Sequence, residues 1–141
     1  MPSLHPTTFA PRPNRSLYRN SEDVLAKLGT STKLMDVRTP EEFRGDYARA
    51  VRTGHIPGAV NGPRAALVNS DGTMLAPDQL RAKFGAIGIT ADTPEVIVYC
   101  NGGVSASYGL LALQVAGFTN GAVYDGSWKD WGNDESKPLE R

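Results

Sequence analysis

The chain has 141 residues, with 15 basic side chains against 15 acidic ones, 40% hydrophobic and 21% charged residues. This describes one soluble globular domain with a single sizeable core, and zero net charge argues against nucleic acid or an anionic membrane as partner. No apolar run approaches a membrane span and the N-terminus lacks a signal-peptide core, while the single cysteine, Cys100, excludes an internal disulfide, a cysteine-based metal site and an internal resolving thiol, which fits a reducing cytoplasm.

Residues 1–19 read as a proline-rich arm or linker, punctuated by Pro2, Pro6, Pro11 and Pro13, and residues 20–141 as the domain. Asn20 or Ser21 caps a short helix that runs to Leu28. Lys33-Leu34-Met35-Asp36-Val37 reads as a buried strand. Pro40 opens a helix over 41–44, since proline is tolerated in a first turn. Residues 45–55 are polar and irregular, and the charges between Arg44 and Arg52 read as a solvated loop near the active face. Ala59-Val60 is a short strand, 63–67 a short helix, and Asp71-Gly72 a turn. Leu80 and Phe84, four apart, predict a helix over 77–84. A central strand spans 95–99, a helix spans 106–116 and closes at Gly117, and Ala122-Val123-Tyr124 forms a further strand followed by an Asp125-Gly126 turn. Strands alternating with helices imply an α/β fold: a mainly parallel central sheet with helices on both faces. Ligands of such sheets bind beyond the carboxyl ends of the strands, where Cys100 falls.

The setting of Cys100 carries most of the chemical information. It ends the apolar run Val96-Ile97-Val98-Tyr99 and leads into Asn101, Gly102, Gly103, Val104 and Ser105, just before a helix. A glycine-rich loop at that place turns backbone N–H groups inward, and the helix adds its positive end. Both favour an anionic sulfur nucleophile. The helix end contributes about 0.3–1 kcal/mol, so the larger part must come from converging amides. Gly103 is expected at positive φ, and a β-branched replacement there is expected to intrude on the substrate's space. The alternative is a buried core cysteine, a common fate of a free thiol; the adjacent glycine pair favours the reactive one.

Four segments together resemble the rhodanese family of sulfurtransferases, specifically the carboxy-terminal catalytic half of its two-domain members. They are Asp36-Val37-Arg38 with Glu42-Phe43-x-Gly45; Gly54-His55-Ile56-Pro57-Gly58-Ala59; the Cys100 loop, in which Gly103-Val104-Ser105-Ala106 stands for Gly-Val-Thr-Ala; and Tyr124-Asp125-Gly126-Ser127-Trp128 with Trp131-Gly132. The resemblance runs from about residue 20 to residue 140, and the arm resembles the inter-domain linker of those proteins. It implies a three-layer α/β fold and a catalytic Cys100 that takes a sulfane sulfur from a small donor and passes the persulfide to a thiol or cyanide-like acceptor. The loop amides of residues 101–105 would hold the persulfide, with no metal and no cofactor. An amino-terminal half is expected to be missing, replaced by a partner domain or a second copy of the chain.

Two departures bear on the donor. Thiosulfate-preferring relatives often carry Arg or Lys in the loop, where this chain has Asn101, Gly102 and Gly103, so weak saturation with thiosulfate is expected. Mercaptopyruvate-using relatives place a carboxylate-binding Arg where this chain has Glu42, which leaves Arg52 or Arg64 to substitute. Arg38, with Asp36, is expected to brace the loop rather than bind substrate, as suits bidentate buried pairing. His55 is a weak candidate for a general base, and Trp128 and Trp131 are assigned to the core. A cysteine phosphatase would need an arginine at position 106, which is alanine. A non-catalytic binding or regulatory module and a persulfide relay remain as alternatives.

Overall fold

The structure, a computed structural model, describes residues 7–141; residues 1–6 of the expected arm, with Pro2 and Pro6, lie outside the described residues. Five strands, β1 (Tyr18–Arg19), β2 (Lys33–Asp36), β3 (Val60–Asn61), β4 (Val96–Tyr99) and β5 (Gly121–Tyr124), pair in parallel in the order β1-β5-β4-β2-β3. Between them run α1 (Ser21–Lys27), α2 (Pro40–Arg44), α3 (Pro77–Ala86), α4 (Val104–Val115) and α5 (Ser127–Trp131), with 3-10 turns at Arg15–Leu17 and Arg64–Leu67. Among the described residues no helix is long and apolar enough to cross a membrane.

Strand periodicity divides the interior in two. Successive residues of a strand face opposite sides of a sheet. Val96 and Val98 of β4 therefore join Met35 and Val123 in a core closed by Leu80 and Phe84 of α3 and Leu110 and Leu113 of α4. Ile97 and Tyr99, with Leu34 and Tyr124, face a second core closed by Val24 of α1 and by Trp128 and Trp131 of α5. Sheet and two helical layers make the three-layer α/β architecture that the sequence implied. Both tryptophans are fully buried, in line with their assignment to the core.

Local signals explain the helix starts. Asn20 and Asp23 form a reciprocal capping box on α1, and Thr39 and Glu42 form one on α2, behind Pro40. α4 begins at Val104, earlier than the expected 106, so its N-terminus lies inside the glycine-rich loop.

Two elements depart from the sequence reading. Tyr18–Arg19 leaves the expected 1–19 arm and pairs with β5, in register Tyr18 with Val123 and Arg19 with Tyr124. The strand is too short to show a period. It is held by Glu95, whose carboxylate meets the guanidinium of the strand's own Arg19 at 2.6 Å and Lys27 at 3.1 Å. The ordered sheet thus starts before residue 20. α5 is the second departure: the sequence predicts a turn at Asp125-Gly126 and core tryptophans after it, but no helix. Its five residues carry no helical period, and packing of Trp128 and Trp131 decides their conformation.

α4 lies very close to the sheet at Gly109, where an added Cβ would come 2.9 Å from Val98 Cγ1 and 3.0 Å from Val37 Cγ1. Alanine at this site gains about 1 kcal/mol of helix propensity, but overpacking against stiff valine side chains costs about 1–3 kcal/mol. Gly109→Ala is therefore expected to lower the urea unfolding midpoint; an unchanged or raised midpoint would show that α4 can move off the sheet without loss.

Candidate active site

β4 delivers Cys100 to the carboxyl edge of the sheet, where the chain turns sharply into α4. The thiol is buried, at 5% exposure, and lines a cleft of about 510 Å³ together with Asn101, Gly102, Val104 and Ser105. The loop is fixed from beneath by the start of α5. Trp128 N–H donates to the Cys100 carbonyl at 2.9 Å, and Lys129 N–H to the Asn101 carbonyl at 3.0 Å. Ser127 completes the support. Its Oγ accepts the amides of Cys100 (3.1 Å) and Gly103 (3.2 Å), donates to the Tyr124 carbonyl at 2.8 Å, and lies 4.0 Å from Cys100 Sγ. To reach this place Ser127 adopts φ +55°, the only positive φ at a non-glycine position among the described residues, a conformation that stores strain.

The loop amides therefore divide into two sets. Those of Cys100 and Gly103 point to Ser127. Those of Asn101, Gly102, Val104 and Ser105 have no acceptor among the described residues, and the N-terminus of α4 has no side-chain cap. An uncapped helix start beside unpartnered amides forms a cradle for an anion. Gly103 sits at φ +83°, as expected. Its Cα does not line the cleft, however: an added Cβ would meet Asp125 Oδ1 at 2.7 Å. A side chain there would strike Asp125, not the substrate's space.

Arg38 and Asp36 form a buried pair behind the loop. Arg38 Nε lies 3.0 Å from both carboxylate oxygens, Nη2 is 2.6 Å from Oδ2, and Nη2 also donates to the Gly54 carbonyl at 2.8 Å. The guanidinium lies 4.5 Å from the Trp128 ring centroid. Burial opposes its charge, but the hydrogen bond and the charge of Asp36 outweigh that and raise its pKa above the ordinary value. The pair joins the end of β2 to the Gly54-His55 turn. Tyr99 belongs to the same cluster: burial, and then the Asp36 charge, hold its phenol well above the usual range, and its Oη accepts Ile56 N–H at 3.2 Å.

The capping box of α2 points Glu42 into the cleft wall. Its carboxylate is buried and accepts Asn101 Nδ2 at 2.8 Å and Thr39 N–H at 3.2 Å, with Arg49 Nε 3.7 Å away. The cations of the cleft come from outside the loop: Arg49, Arg64 and Lys129 all line it. Lys129 lies over the loop, since a Cβ on Gly102 would be 3.7 Å from its Cδ. The charge-poor loop thus sits in a cleft lined by four cationic side chains, these three exposed ones and the buried Arg38. Lys129 escaped the sequence reading because α5 did; its signal was its place directly after the Ser127-Trp128 segment.

Arg52 is a correction. Its guanidinium donates to the carbonyls of Lys137 (2.8 Å), Trp131 (2.8 Å), Gly132 (3.3 Å) and Asp134, and it does not line the cleft. Orphan carbonyls at the end of α5 draw it away from any substrate. Arg64 does reach the cleft. His55 stacks on Phe43 with ring centroids 3.8 Å apart, and its Nδ1 lies 2.8 Å from the Phe43 carbonyl; it too is absent from the cleft wall. Ser127, which the sequence reading did not single out, is the closest side-chain support of the cysteine loop.

The arrangement can hold an anion against fixed amides. The profile of the Rhodanese-like domain family matches residues 20–134. The chain is 37% identical over 156 aligned positions to "Sulfur carrier protein TtuD" of Thermus thermophilus, covering 100% of this chain and 54% of that protein. It is 36% identical over 139 positions to "Probable 3-mercaptopyruvate sulfurtransferase" of Pseudomonas aeruginosa, covering 97% of this chain and 49% of that one. It spans about half the length of these curated relatives. Among solved structures, an EanB variant in complex with ergothioneine superposes with a TM-score of 0.86 at 25% identity, covering 98% of this chain and 35% of that one. With the profile match spanning most of the chain and relatives named for sulfur transfer and carriage, this chain belongs to the rhodanese-like domain family.

Proposed function

We propose that the chain is a sulfurtransferase that carries a sulfane sulfur as a persulfide on Cys100, between a small anionic donor and a thiol or cyanide-like acceptor. The observation that supports this reading most strongly is the set of unpartnered amides at Asn101, Gly102, Val104 and Ser105 beside a cleft-lining sulfur. The Cys100 thiolate attacks the outer sulfur of the donor. A new S–S bond forms as the donor's bond to that sulfur breaks, and the donor's electron pair leaves with sulfite or with the pyruvate enolate, which then takes a proton. The negative charge moves out to the terminal sulfur, where the amides stabilise it without reorganisation. An acceptor nucleophile attacks that sulfur and Cys100 leaves as thiolate. Ser127, Arg38 and Asp36 position the loop.

The donor class follows from charge. Arg64 and Lys129 flank the cleft and supply the countercharge that the loop itself lacks, so an anionic donor fits, whether thiosulfate or 3-mercaptopyruvate. A relay that takes its persulfide from another protein uses the same chemistry; the printed name of the Thermus thermophilus relative, a sulfur carrier protein, favours keeping it as the second reading. A binding module without chemistry has no need of a cradle of unpartnered amides at a cysteine.

Cys100→Ser is expected to abolish cyanide-dependent thiocyanate formation and the sulfur adduct seen by mass spectrometry, with little change in thermal unfolding, because oxygen forms no persulfide and the side chains are nearly the same size. Most of the activity surviving in the variant would sink the mechanism. Absence of any adduct on the unaltered protein, across thiosulfate, mercaptopyruvate and protein persulfides, would favour the module.

The cations separate along a second line. Arg64 and Lys129 are exposed, so each contact with an anionic donor is worth at most about 1 kcal/mol, roughly fivefold in KM. Arg64→Ala and Lys129→Ala are expected to raise donor KM by about that factor with little change in kcat, and the effect should weaken at high salt. Arg52→Ala is expected to lower the melting temperature while donor KM stays unchanged. A large KM effect from Arg52→Ala with intact stability would return it to the site.

A further inference from the structure

Three Asn-Gly steps occur in this chain, at Asn61-Gly62, Asn101-Gly102 and Asn120-Gly121. Asparagine before glycine is the step most open to deamidation, because glycine has no side chain to hinder its own amide nitrogen from reaching the preceding carboxamide carbon. Folding closes two of the three. Gly62 N–H donates to the Asp36 carbonyl at 2.9 Å, and Asn61 Nδ2 is tied to the Asp36 and Arg38 carbonyls at 3.0 and 3.1 Å. Gly121 is buried within β5, between β4 and β1, and Asn120 Nδ2 is tied to the Thr93 carbonyl. The third step differs at its glycine, although its carboxamide is also tied, Asn101 Nδ2 donating to Glu42 Oε1 at 2.8 Å. Gly102 is exposed, its amide has no acceptor among the described residues, and the nearest group over its Cα is the flexible Lys129 side chain. Its amide belongs to the unpartnered set in the cleft that Cys100 lines.

We propose that Asn101 is a modification site, where spontaneous deamidation converts the cleft wall from a neutral amide to a carboxylate. The Gly102 amide nitrogen, after losing its proton, attacks Asn101 Cγ. The N–Cγ bond forms, the Cγ–Nδ2 bond breaks, and Nδ2 takes up a proton and leaves as ammonia. Water then opens the succinimide at either carbonyl and gives aspartate or isoaspartate. No electrons change hands. The product replaces a donor that now meets Glu42 Oε1 at 2.8 Å with a second carboxylate at that contact. Two like charges then adjoin in a buried wall, and the added one opposes any anion on Cys100. The change is a built-in loss of reactivity that advances with the age of the protein.

The test incubates the full chain at mildly alkaline pH and follows three readouts that need no sulfurtransferase activity: peptide masses at the three steps, isoaspartate content, and the rate at which iodoacetamide alkylates Cys100, with circular dichroism confirming that the chain stays folded. The amide-to-acid mass change and isoaspartate are expected at position 101 severalfold faster than at 61 or 120, with Cys100 alkylation slowing severalfold in parallel. Gly102→Ala is expected to slow conversion severalfold, and Asn101→Gln to keep its initial alkylation rate throughout. Conversion at equal rates at all three steps, an intact Asn101, or a converted protein with unchanged Cys100 reactivity would each overturn the proposal. If no donor loads Cys100, the proposed function fails while these readouts still decide this one.

Discussion

A single serine hydroxyl decides which way the cysteine loop faces. The amides of Cys100 and Gly103 are buried on the sheet side of the loop, and leaving them without an acceptor would cost about 1–3 kcal/mol each. Ser127 Oγ accepts both and passes its own hydrogen to the Tyr124 carbonyl. The strained φ of Ser127, a penalty of about 1–3 kcal/mol, is offset by those two amides. With the inner amides satisfied, the loop is free to present the outer ones to the cleft. The same turn starts α5, so Trp128 and Lys129 N–H groups tie down the loop carbonyls, and Trp128 continues into the second core. Loop geometry and core packing are thereby one feature.

Rigidity around this turn comes from the buried Asp36–Arg38 pair. A buried ion pair is weak evidence for stability, because its desolvation opposes its attraction. Here its use is positional. It joins the end of β2 to the Gly54-His55 turn and lays the guanidinium over Trp128, so β2, the residues after it and α5 cannot shift independently. The cleft wall formed by Val37, Arg38, Thr39 and Glu42 is held in register with the loop it faces. Arg38 is paired with Asp36 through Nε and Nη2, while its buried Nη1 has no hydrogen-bond partner among the described residues; the other cations of the cleft are exposed ones on separate elements.

How much of this was legible in the sequence depended on distance along the chain. Cys100 and Gly103 could be read because strand, thiol and glycines are consecutive, and the positive φ of Gly103 follows from local geometry alone. The sheet was legible from alternating apolar segments such as 95–99. Asp36 and Arg38 are two apart, and their pairing needs only a strand end. Ser127 lies far along the chain from Cys100, and a small polar residue after Asp125-Gly126 reads as part of a turn; only the fold brings it under the loop. Arg52 was misread because a cation beside a motif looks available, whereas carbonyls at the end of α5 engage it. Tyr18–Arg19 was assigned to the arm because two residues carry no period, and their pairing is provided entirely by β5.

The central claim is that the loop amides are divided, with Cys100 and Gly103 committed to Ser127 and Asn101, Gly102, Val104 and Ser105 reserved for a sulfur anion. The most direct measurement is amide nuclear magnetic resonance of the uniformly labelled chain, before and after Cys100 is loaded by a sulfane-sulfur donor. The account predicts that amide protons of the second set move downfield as they gain an acceptor, while those of Cys100 and Gly103 keep their hydrogen-bonded positions. Loading that leaves the second set unmoved, or that shifts Cys100 and Gly103 instead, would contradict it.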